Sequence, residues 1–252
     1  MKKILFKGVG SAVPTPFDEN GVNISEFRKF LQFQIDNNVD ALIVCGTTGE
    51  SSTMTRDEKI IAINCALEFA NEKIPVIVGT GSNNTREAIE MSKIAERLGA
   101  DGILVVTPYY NKTTQRGLIA HYKDIAESVS LPIILYNVPS RTGVNIEPQT
   151  CLELSKIDNI VAIKEASGNI SQVAQISNLC GDNLYIYNCQ EGKPYGKYYR
   201  YDLLVMMTKL FLYVLLVELE SFLFCQISNL NLYMIWFMIF WMGILIKLEK
   251  CN

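Results

Sequence analysis

The chain has 252 residues and a formal net charge of −3 at pH 7, which suits one α/β barrel domain or two small domains. This balance gives no electrostatic case for nucleic-acid binding, and it favours small-molecule chemistry. The seven cysteines form no C-x-x-C pair, so neither a zinc site nor a disulfide framework is indicated. Such scattered cysteines are typical of a reduced, cytoplasmic protein. The short apolar run Ile4-Leu5-Phe6 is too brief for a signal-peptide core.

Short apolar runs recur in residues 1–187, and each is bounded by turn residues. Their length and β-branched content favour buried strands. Because the runs are apolar throughout rather than alternating, we expect strands that are covered on both faces, as in a parallel sheet. The predicted strands are residues 8–13, 41–45, 75–78, 102–106, 132–136, 160–163 and 184–187.

Amphipathic helical segments lie between these strands, and the strand starts are roughly 30 residues apart, the size of a βαβ unit. Ser25 is the predicted N-cap of the first helix, and Thr55 with Glu58 forms a predicted capping box at the second. Gly99 is expected to end the third helix. The predicted helices are residues 25–37, 55–71, 85–98, 117–129 and 171–180.

This alternation of strands and helices leaves two architectures, an open doubly wound sheet and a (β/α)8 barrel. A dinucleotide-binding sheet would carry a G-x-G-x-x-G turn after its first strand, whereas the chain here reads Pro14-Thr15-Pro16-Phe17. We therefore predict an α/β fold, an incomplete (β/α)8 TIM barrel with seven βα units in residues 1–187. The last βα unit of such a barrel is not readable in the sequence, and the resemblance described below implies that the eighth strand and the C-terminal helices are absent or replaced.

Two loops after predicted strands carry groups suited to binding. Residues 46–51 read Gly-Thr-Thr-Gly-Glu-Ser, in which glycines allow close backbone approach and hydroxyl and N–H groups can hold a carboxylate or phosphate. Ordinary turn chemistry explains the same residues equally well. Residues 107–112 contain the adjacent Tyr109 and Tyr110, of which at most one is expected to face the barrel mouth. A loop-packing or subunit contact is the commoner use of such a pair.

Two further strand ends carry candidate chemistry. Tyr136 closes the fifth strand, where a phenol can relay protons, and Arg141 presents a fork suited to a carboxylate unless it forms a surface ion pair. Lys164 ends the apolar sixth strand. A buried amine costs much free energy, and desolvation in general makes an amine a nucleophile toward carbonyls. The alternative is a lysine that extends to the rim.

The single histidine, His121, falls in a predicted helix and is interpreted as a helix-face residue. A single histidine argues against a Ser-His-Asp hydrolase and against a histidine-rich metal site. We therefore predict no metal site.

Together, these segments resemble the dihydrodipicolinate synthase / N-acetylneuraminate lyase family of barrel aldolases. The resemblance covers residues 5–187, with the motifs in family order and at family spacing. The segment Tyr-Asn-Val-Pro-Ser-Arg-Thr-Gly at residues 136–143 is typical of the synthases, since sialic acid lyases and keto-deoxy-sugar aldolases usually lack its arginine. The matching motifs are residues 10–17, 46–51, 79–81, 107–112, 136–143 and 163–169.

The resemblance implies roles for four catalytic residues. Lys164 would form a Schiff base with pyruvate, and Tyr136 would relay protons. Thr47 would couple Tyr136 to Tyr110, and Tyr110 would reach into the site of a neighbouring subunit. The resemblance thus implies a homo-oligomer, a dimer or a tetramer.

It also implies how the substrates are held. Thr48 and the backbone of Gly46 and Gly49 would bind the pyruvate carboxylate, and Arg141 would bind the carboxylate of the second substrate, aspartate 4-semialdehyde. The product would be the cyclic precursor of lysine and diaminopimelate. No metal or organic cofactor would be needed, because the protonated imine is itself the electron sink.

Feedback inhibition by lysine is a further implication of the resemblance. Asn83, Glu87 and Tyr109 match positions of the inhibitor site. Lys59 stands where some members carry a histidine, so the match is incomplete.

Residues 188–252 depart from the family, whose members continue with an eighth strand near Gly-Gly-x-Gly-Val-Ile-Ser and further helices. Residues 221–246 are uncharged and long enough for a membrane span. However, Gln226, Asn229 and Asn231 interrupt the apolar stretch and no charge cluster anchors it, so membrane association is not expected.

A frameshift upstream of Leu204, from a disrupted gene or a sequencing error, is the hypothesis that we favour for this tail. With suitable codons, a one-base shift turns residues 204–212 into Ser-Gly-Asn-Asp-Asp-Lys-Ile-Val-Pro and residues 216–226 into Leu-Gly-Gly-Ile-Gly-Val-Ile-Ser-Val-Leu-Ser. Both segments are similar to the family. An unclosed barrel keeps open strand edges, so this hypothesis predicts that the chain as printed is insoluble or inactive.

Two rival functions stay open from the sequence. One is a pyruvate-dependent sugar-acid aldolase such as N-acetylneuraminate lyase. The other is a non-enzymatic, membrane-associated remnant of a degraded barrel.

Overall fold

The structure is a computed structural model that describes Lys2, residues 4–188 and residues 202–203. The chain divides into two units, Met1–Met207 and Thr208–Asn252, and the described residues all belong to the first. In that described part, no helix is both long and apolar enough to cross a bilayer. The predictions about the frameshift and about a span over residues 221–246 fall outside the described residues.

A parallel sheet forms the centre of the first unit. Its eight strands are hydrogen-bonded in the order β1-β4-β5-β6-β7-β8-β9-β10, and β2 pairs with β3 in a separate antiparallel hairpin. The strands are β1 (Gly10–Ala12), β2 (Phe17–Asp18), β3 (Gly21–Val22), β4 (Ala41–Val44), β5 (Val76–Gly79), β6 (Gly102–Val106), β7 (Ile133–Asn137), β8 (Ile160–Glu165), β9 (Tyr185–Asn188) and β10 (Asp202–Leu203). All seven predicted strands are confirmed, with ends that differ by no more than two residues.

The eighth place in the sheet is taken by β10, which pairs in parallel with β9. No ladder between β10 and β1 occurs within residues 4–188 and 202–203, so the barrel is not closed by the strands described. This arrangement confirms the predicted incomplete α/β barrel. An eighth strand is present, but it has only two residues, Asp202–Leu203, and they belong to the segment that departs from the family.

Helices cover the outside of the sheet. They are α1 (Ile24–Asp36), α2 (Arg56–Ala70), α3 (Thr85–Leu98), α4 (Gln115–Ser128), α5 (Pro139–Thr142), α6 (Pro148–Leu154) and α7 (Ile170–Cys180). The five predicted helices are confirmed. The short α5 and α6 were not predicted, because each begins at a proline and is too short to show a periodic pattern.

The helix ends agree with the predicted caps except at the first helix. Thr55 and Glu58 form the predicted capping box, and Gly99 ends α3 with φ of 93°. The prediction of Ser25 as the N-cap of α1 is wrong. Asn23 takes that place, since its side chain accepts a hydrogen bond from the Glu26 N–H at 3.1 Å, and Ser25 lies inside the first turn.

The strands bring one set of side chains to the concave side of the sheet, where they pack together. Because alternate residues of a strand point to opposite faces, the remaining strand residues meet the helices instead. The concave cluster draws on strands β4 to β9 and includes Ile43, Ile77, Leu104, Ile134, Tyr136, Ala162 and Tyr187. Side chains from six neighbouring strands can meet in one cluster only if the sheet curls around them. This curvature creates the interior of the barrel, in which a site can lie.

Candidate active site

Two paired residues on β7 and β8 form the centre of the candidate site. Tyr136 and Lys164 are partners in the parallel ladder, and both side chains are buried with 4% exposure. The Lys164 Nζ lies 4.3 Å from the centre of the Tyr136 ring. A cation over an aromatic face is stabilised by the ring quadrupole, and the contact places the amine beside the phenol. The amine therefore points into the barrel and not to the rim.

A cavity of about 280 Å³ opens in front of this pair. Its lining includes residues of five strands, β1, β4, β6, β7 and β8, together with the loop after β4 and Arg141. The lining residues are Ala12, Ile43, Gly46, Thr47, Thr48, Glu50, Leu104, Tyr136, Arg141 and Lys164. The structure thus brings Lys164, Tyr136, Thr47, Thr48, Gly46 and Arg141 to one cavity.

A second cavity, of about 400 Å³, shares Gly46, Thr47, Tyr136 and Arg141 with the first. Tyr109 and Tyr110 both line it, although only one of them was expected to face the mouth. Tyr110 is 90% exposed and has a positive φ of 68°, which is costly for a non-glycine residue. A large aromatic ring held out at the mouth by strained backbone is available for contact with a ligand or another chain.

The loop after β4 is a tight series of turns. Cys45 and Glu50 both have positive φ, and the Glu50 N–H donates to the Thr47 carbonyl at 3.1 Å. Gly49 is a buried residue of this loop, and its carbonyl accepts a hydrogen bond from the Thr15 hydroxyl at 2.9 Å. These turns hold Thr47 and Thr48 at the cavity rim.

Arg141 is held at the rim by the short helix α5 and the turn that ends it. Gly143 has φ of 69°, and its N–H donates to the Pro139 carbonyl at 2.8 Å. The Thr142 hydroxyl lies within hydrogen-bonding distance of the Val138 and Val144 carbonyls. Arg141 itself is exposed and lines both cavities, so its guanidinium can reach an anion that enters from solvent.

The three residues of the predicted inhibitor site lie in different surroundings. Asn83 lines a polar cleft, Tyr109 lines the second cavity, and the carboxylate of Glu87 forms an ion pair with Arg56 at 2.9 Å. Neither the two cavities described above nor this cleft contains all three. Lysine binding therefore stays a prediction.

His121 lies on a helix face, as interpreted from the sequence, but this face is buried. Its Nδ1 lies 2.8 Å from the Thr85 hydroxyl, and burial lowers the pKa of the imidazole to about 4. The ring is therefore neutral at pH 7, and it lies on α4 and lines neither of the two cavities.

A buried carboxylate on β8 was missed from the sequence. Glu165 is 2% exposed and accepts hydrogen bonds from Asn137, Ser167 and Gln172. The available signal was a glutamate that continues an apolar strand, since an acidic side chain is rarely buried without partners. The partners lie far apart in the sequence, so they could not be identified from it.

The fold and the site define a class of parallel α/β barrel proteins that hold a lysine inside the curled sheet, at the carboxyl end of a strand. The chain belongs to the dihydrodipicolinate synthetase family, whose model matches residues 5–194. This match covers the strands, loops and helices that form both cavities.

Individual relatives agree with the family. The chain is 55% identical over 184 residues to 4-hydroxy-tetrahydrodipicolinate synthase of Clostridium perfringens, covering 73% of this chain and 63% of the relative. It is equally similar, at 55% over 184 residues, to 4-hydroxy-tetrahydrodipicolinate synthase 1 of Clostridium acetobutylicum, with the same coverage of 73% and 63%. The chain therefore spans about 63% of the length of these curated relatives.

Solved structures show the same fold. Dihydrodipicolinate synthase from Aquifex aeolicus superposes with a TM-score of 0.71 and 44% identity, over 73% of this chain and 63% of that one. A chloride-inhibited dihydrodipicolinate synthase from Acinetobacter baumannii, complexed with pyruvate, has a TM-score of 0.75 and 31% identity, over 99% of this chain and 94% of that one.

Proposed function

We propose that this chain carries the site of a 4-hydroxy-tetrahydrodipicolinate synthase, which condenses pyruvate with aspartate 4-semialdehyde through an imine on Lys164. The observation that carries the proposal is the buried Lys164 amine, 4.3 Å from the Tyr136 ring centre, in a cavity edged by Arg141. A buried amine at the edge of a cavity is suited to attack a carbonyl. The named relatives support the same substrates.

The chemistry follows from these groups. The Lys164 nitrogen attacks the pyruvate carbonyl carbon, and the carbonyl oxygen leaves as water after two proton transfers. The resulting protonated imine withdraws electrons, so the adjacent methyl group loses a proton and an enamine forms. The enamine carbon then bonds to the aldehyde carbon of the second substrate as the enamine becomes an imine again, and the aldehyde oxygen takes up a proton. The amino group of the second substrate attacks the imine carbon, and the bond from that carbon to the Lys164 nitrogen breaks, which closes the ring and releases the amine. Tyr136, which lines both cavities, is the proposed carrier of these protons, coupled through Thr47 to Tyr110.

The two cavities suit the two substrates. The cavity of about 280 Å³ contains Lys164, Thr47 and Thr48, which supply an amine and two hydroxyls for a three-carbon 2-oxo acid. The adjoining cavity of about 400 Å³ leaves room for the four-carbon aldehyde. Arg141 borders both and is the proposed partner of its carboxylate, because a guanidinium binds a carboxylate in a bidentate manner.

A homo-oligomer, a dimer or a tetramer, is part of the proposal. The supporting observation is Tyr110, which is 90% exposed although it lines the second cavity. A second copy that covers this ring would complete the site. A cytoplasmic location goes with this biosynthetic role and is proposed with it.

The rival functions have less support. The relatives named above are synthases, and the arginine that distinguishes them, Arg141, borders the site. No observation on the described residues favours a sugar-acid aldolase or a non-enzymatic remnant. Turnover with aspartate 4-semialdehyde, compared with cleavage of sialic acid or a keto-deoxy-sugar acid, separates the two enzymatic functions.

Borohydride trapping tests the central step. The folded 252-residue chain is incubated with pyruvate and reduced, and a peptide map is expected to show a reduced pyruvate adduct on Lys164. The variant Lys164→Arg is expected to abolish the adduct, whereas Lys156→Arg, at an exposed lysine, is expected to leave it unchanged. Trapping requires only imine formation and not the later condensation. A protein that forms the adduct but has no turnover has therefore kept the Lys164 site. An adduct on other lysines alone would contradict the proposal.

A further inference from the structure

A second pair of residues faces away from the site on the same two strands. Asn137 and Glu165 each follow directly after Tyr136 and Lys164, and they are partners in the same parallel ladder. Because successive strand residues point to opposite faces, this outer pair lies between the sheet and the helices while the inner pair lines the cavity. Asn137 is fully buried and Glu165 is 2% exposed. The register of the outer pair therefore determines the register of the inner one.

The Glu165 carboxylate accepts hydrogen bonds from three residues. The Asn137 Nδ2 lies 3.2 and 3.0 Å from its two oxygens. The Ser167 N–H donates to Oε1 at 2.7 Å, and the Gln172 Nε2 donates to Oε2 at 3.2 Å. The carboxylate thus joins the neighbouring strand, its own loop and helix α7. A buried group with this many partners fixes its surroundings in one arrangement.

The network continues to the loop that carries Arg141. The Asn137 Nδ2 also donates to Asn145 Oδ1 at 2.9 Å, and the Asn137 Oδ1 accepts the Ile146 N–H at 2.9 Å. Asn145 in turn exchanges hydrogen bonds with Gln172 at 2.8 and 3.1 Å. The chain segment that leaves β7, passes Arg141 and returns to α6 is therefore tied to the same carboxylate.

We propose that Glu165 is a positioning residue for the Schiff-base chemistry: held by Asn137 and Gln172, it fixes the β7 and β8 ends so that the Lys164 amine stands against Tyr136. This inference rests on the proposed function. Glu165 acts through the backbone register and touches neither substrate nor reacting atoms. Displacement of a reacting group by about 1 Å can lower a rate about 100-fold, so a small loss of register is sufficient to be measured.

The variant Glu165→Gln tests this role with little change in size. Each carboxylate oxygen of Glu165 accepts hydrogen bonds from Asn137 and from one further donor. The NH2 group of a glutamine side chain would therefore face two donors, whichever of the two positions it takes. We expect the rate constant of borohydride trapping at saturating pyruvate to fall about 10- to 100-fold. The pyruvate concentration that gives half-maximal trapping should change much less, because the loop with Thr47 and Thr48 is untouched. Asn137→Ala, which removes the tie from the other strand, should produce the same loss.

Ser92→Ala is the matched control, because it removes a fully buried hydroxyl, with its 2.9 Å hydrogen bond to Thr80, from the helical layer elsewhere. A substitution that only destabilises the fold reduces the fraction of folded molecules and so the final amount of adduct. The folded molecules that remain still react with the unchanged rate constant. The control should therefore keep the wild-type rate constant. Equal rate constants for Glu165→Gln, Asn137→Ala and the wild type would overturn the inference.

Amide hydrogen exchange gives a readout that is independent of activity. The Ala166 N–H donates to the Asn137 carbonyl at 2.9 Å, at the end of the β7–β8 ladder, and it should exchange faster in Glu165→Gln. The Thr80 N–H, bonded to the Leu104 carbonyl at 3.0 Å, is the internal reference and should be unchanged. Unaltered exchange at Ala166 would contradict the positioning role even in an inactive sample. Absence of any adduct in the folded wild type, by contrast, would remove the proposed function itself.

Discussion

Lys164 and Tyr136 occupy paired positions on adjacent parallel strands, with the amine nitrogen 4.3 Å from the centre of the phenol ring. The ring and the hydroxyl of Tyr136 therefore have separable effects. The ring face holds the amine, and the hydroxyl is the proposed proton carrier. A substitution that keeps the ring and removes the oxygen distinguishes them.

Tyr136→Phe is expected to keep the fold and the contact between the amine and the ring. Condensation should fall by about 10²- to 10⁴-fold, the usual range for loss of a general acid–base group. The measurement is steady-state turnover of pyruvate with aspartate 4-semialdehyde, in parallel with borohydride trapping of Lys164. Turnover at the wild-type rate would show that the phenol carries no proton in the reaction.

Gly79→Ala is expected to destabilise the strand end below the site. A methyl group at Gly79 would lie 2.1 Å from the Cys45 carbonyl oxygen, which is backbone and cannot rotate away. Overpacking of this kind costs about 1–3 kcal/mol of the free energy of unfolding, and more where backbone must move. Urea denaturation measures the loss.

Gly46→Ala is the matched control for this strand end, because a methyl group there meets nothing within 4 Å. Its free energy of unfolding should stay within about 0.5 kcal/mol of the wild type. Equal losses in the two variants would show that the close approach at Gly79 is not the cause.

The stability of the fold is expected to decrease in mild acid because of His121. Burial lowers the pKa of His121 to about 4, below the ordinary value of 6.5. Below pH 6.5 the unfolded chain therefore binds a proton that the folded chain does not, and the free energy of unfolding falls until the pH reaches about 4. The loss over this window is up to about 3 kcal/mol, from 1.36 kcal/mol per pKa unit.

Urea denaturation of the wild type and His121→Gln, at pH 7.5 and at pH 5, measures this effect. The variant lacks the titrating ring, so its stability should depend less on pH in this interval. The same pH dependence in both proteins would assign the acid sensitivity to other groups.

Thr55→Ala is expected to lower the free energy of unfolding by about 1 kcal/mol, as is usual for loss of an N-cap. The substitution removes the hydroxyl that accepts the Glu58 N–H at 3.2 Å, and it weakens the capping box at the start of α2. Glu90→Ala, at an exposed position within α3, is the comparison and should change stability little. Thermal or urea denaturation of the three proteins tests the difference.

The sequence predicted the seven strands because each is a continuous apolar run between turn residues. It also pointed to Lys164, since a charged group at the end of an apolar strand is costly without a purpose, and to Arg141, since its guanidinium fork suits a carboxylate. It did not predict α5 and α6, which have too few turns for a periodic signal, and it placed the first cap at Ser25 in place of Asn23. Patterns within a few neighbouring residues were therefore sufficient to predict the strands and the longer helices.

The amino-acid sequence by itself determined the seven strands, the five longer helices and which side chains stand at the strand ends, because hydrophobic periodicity acts over a few residues. Only the tertiary structure decided that Lys164 stands beside Tyr136 and that Glu165 joins Asn137 and Gln172. These contacts depend on strand register and on the packing of helices against the sheet. Both are set by residues that are far apart in the chain, and no short-range pattern records them.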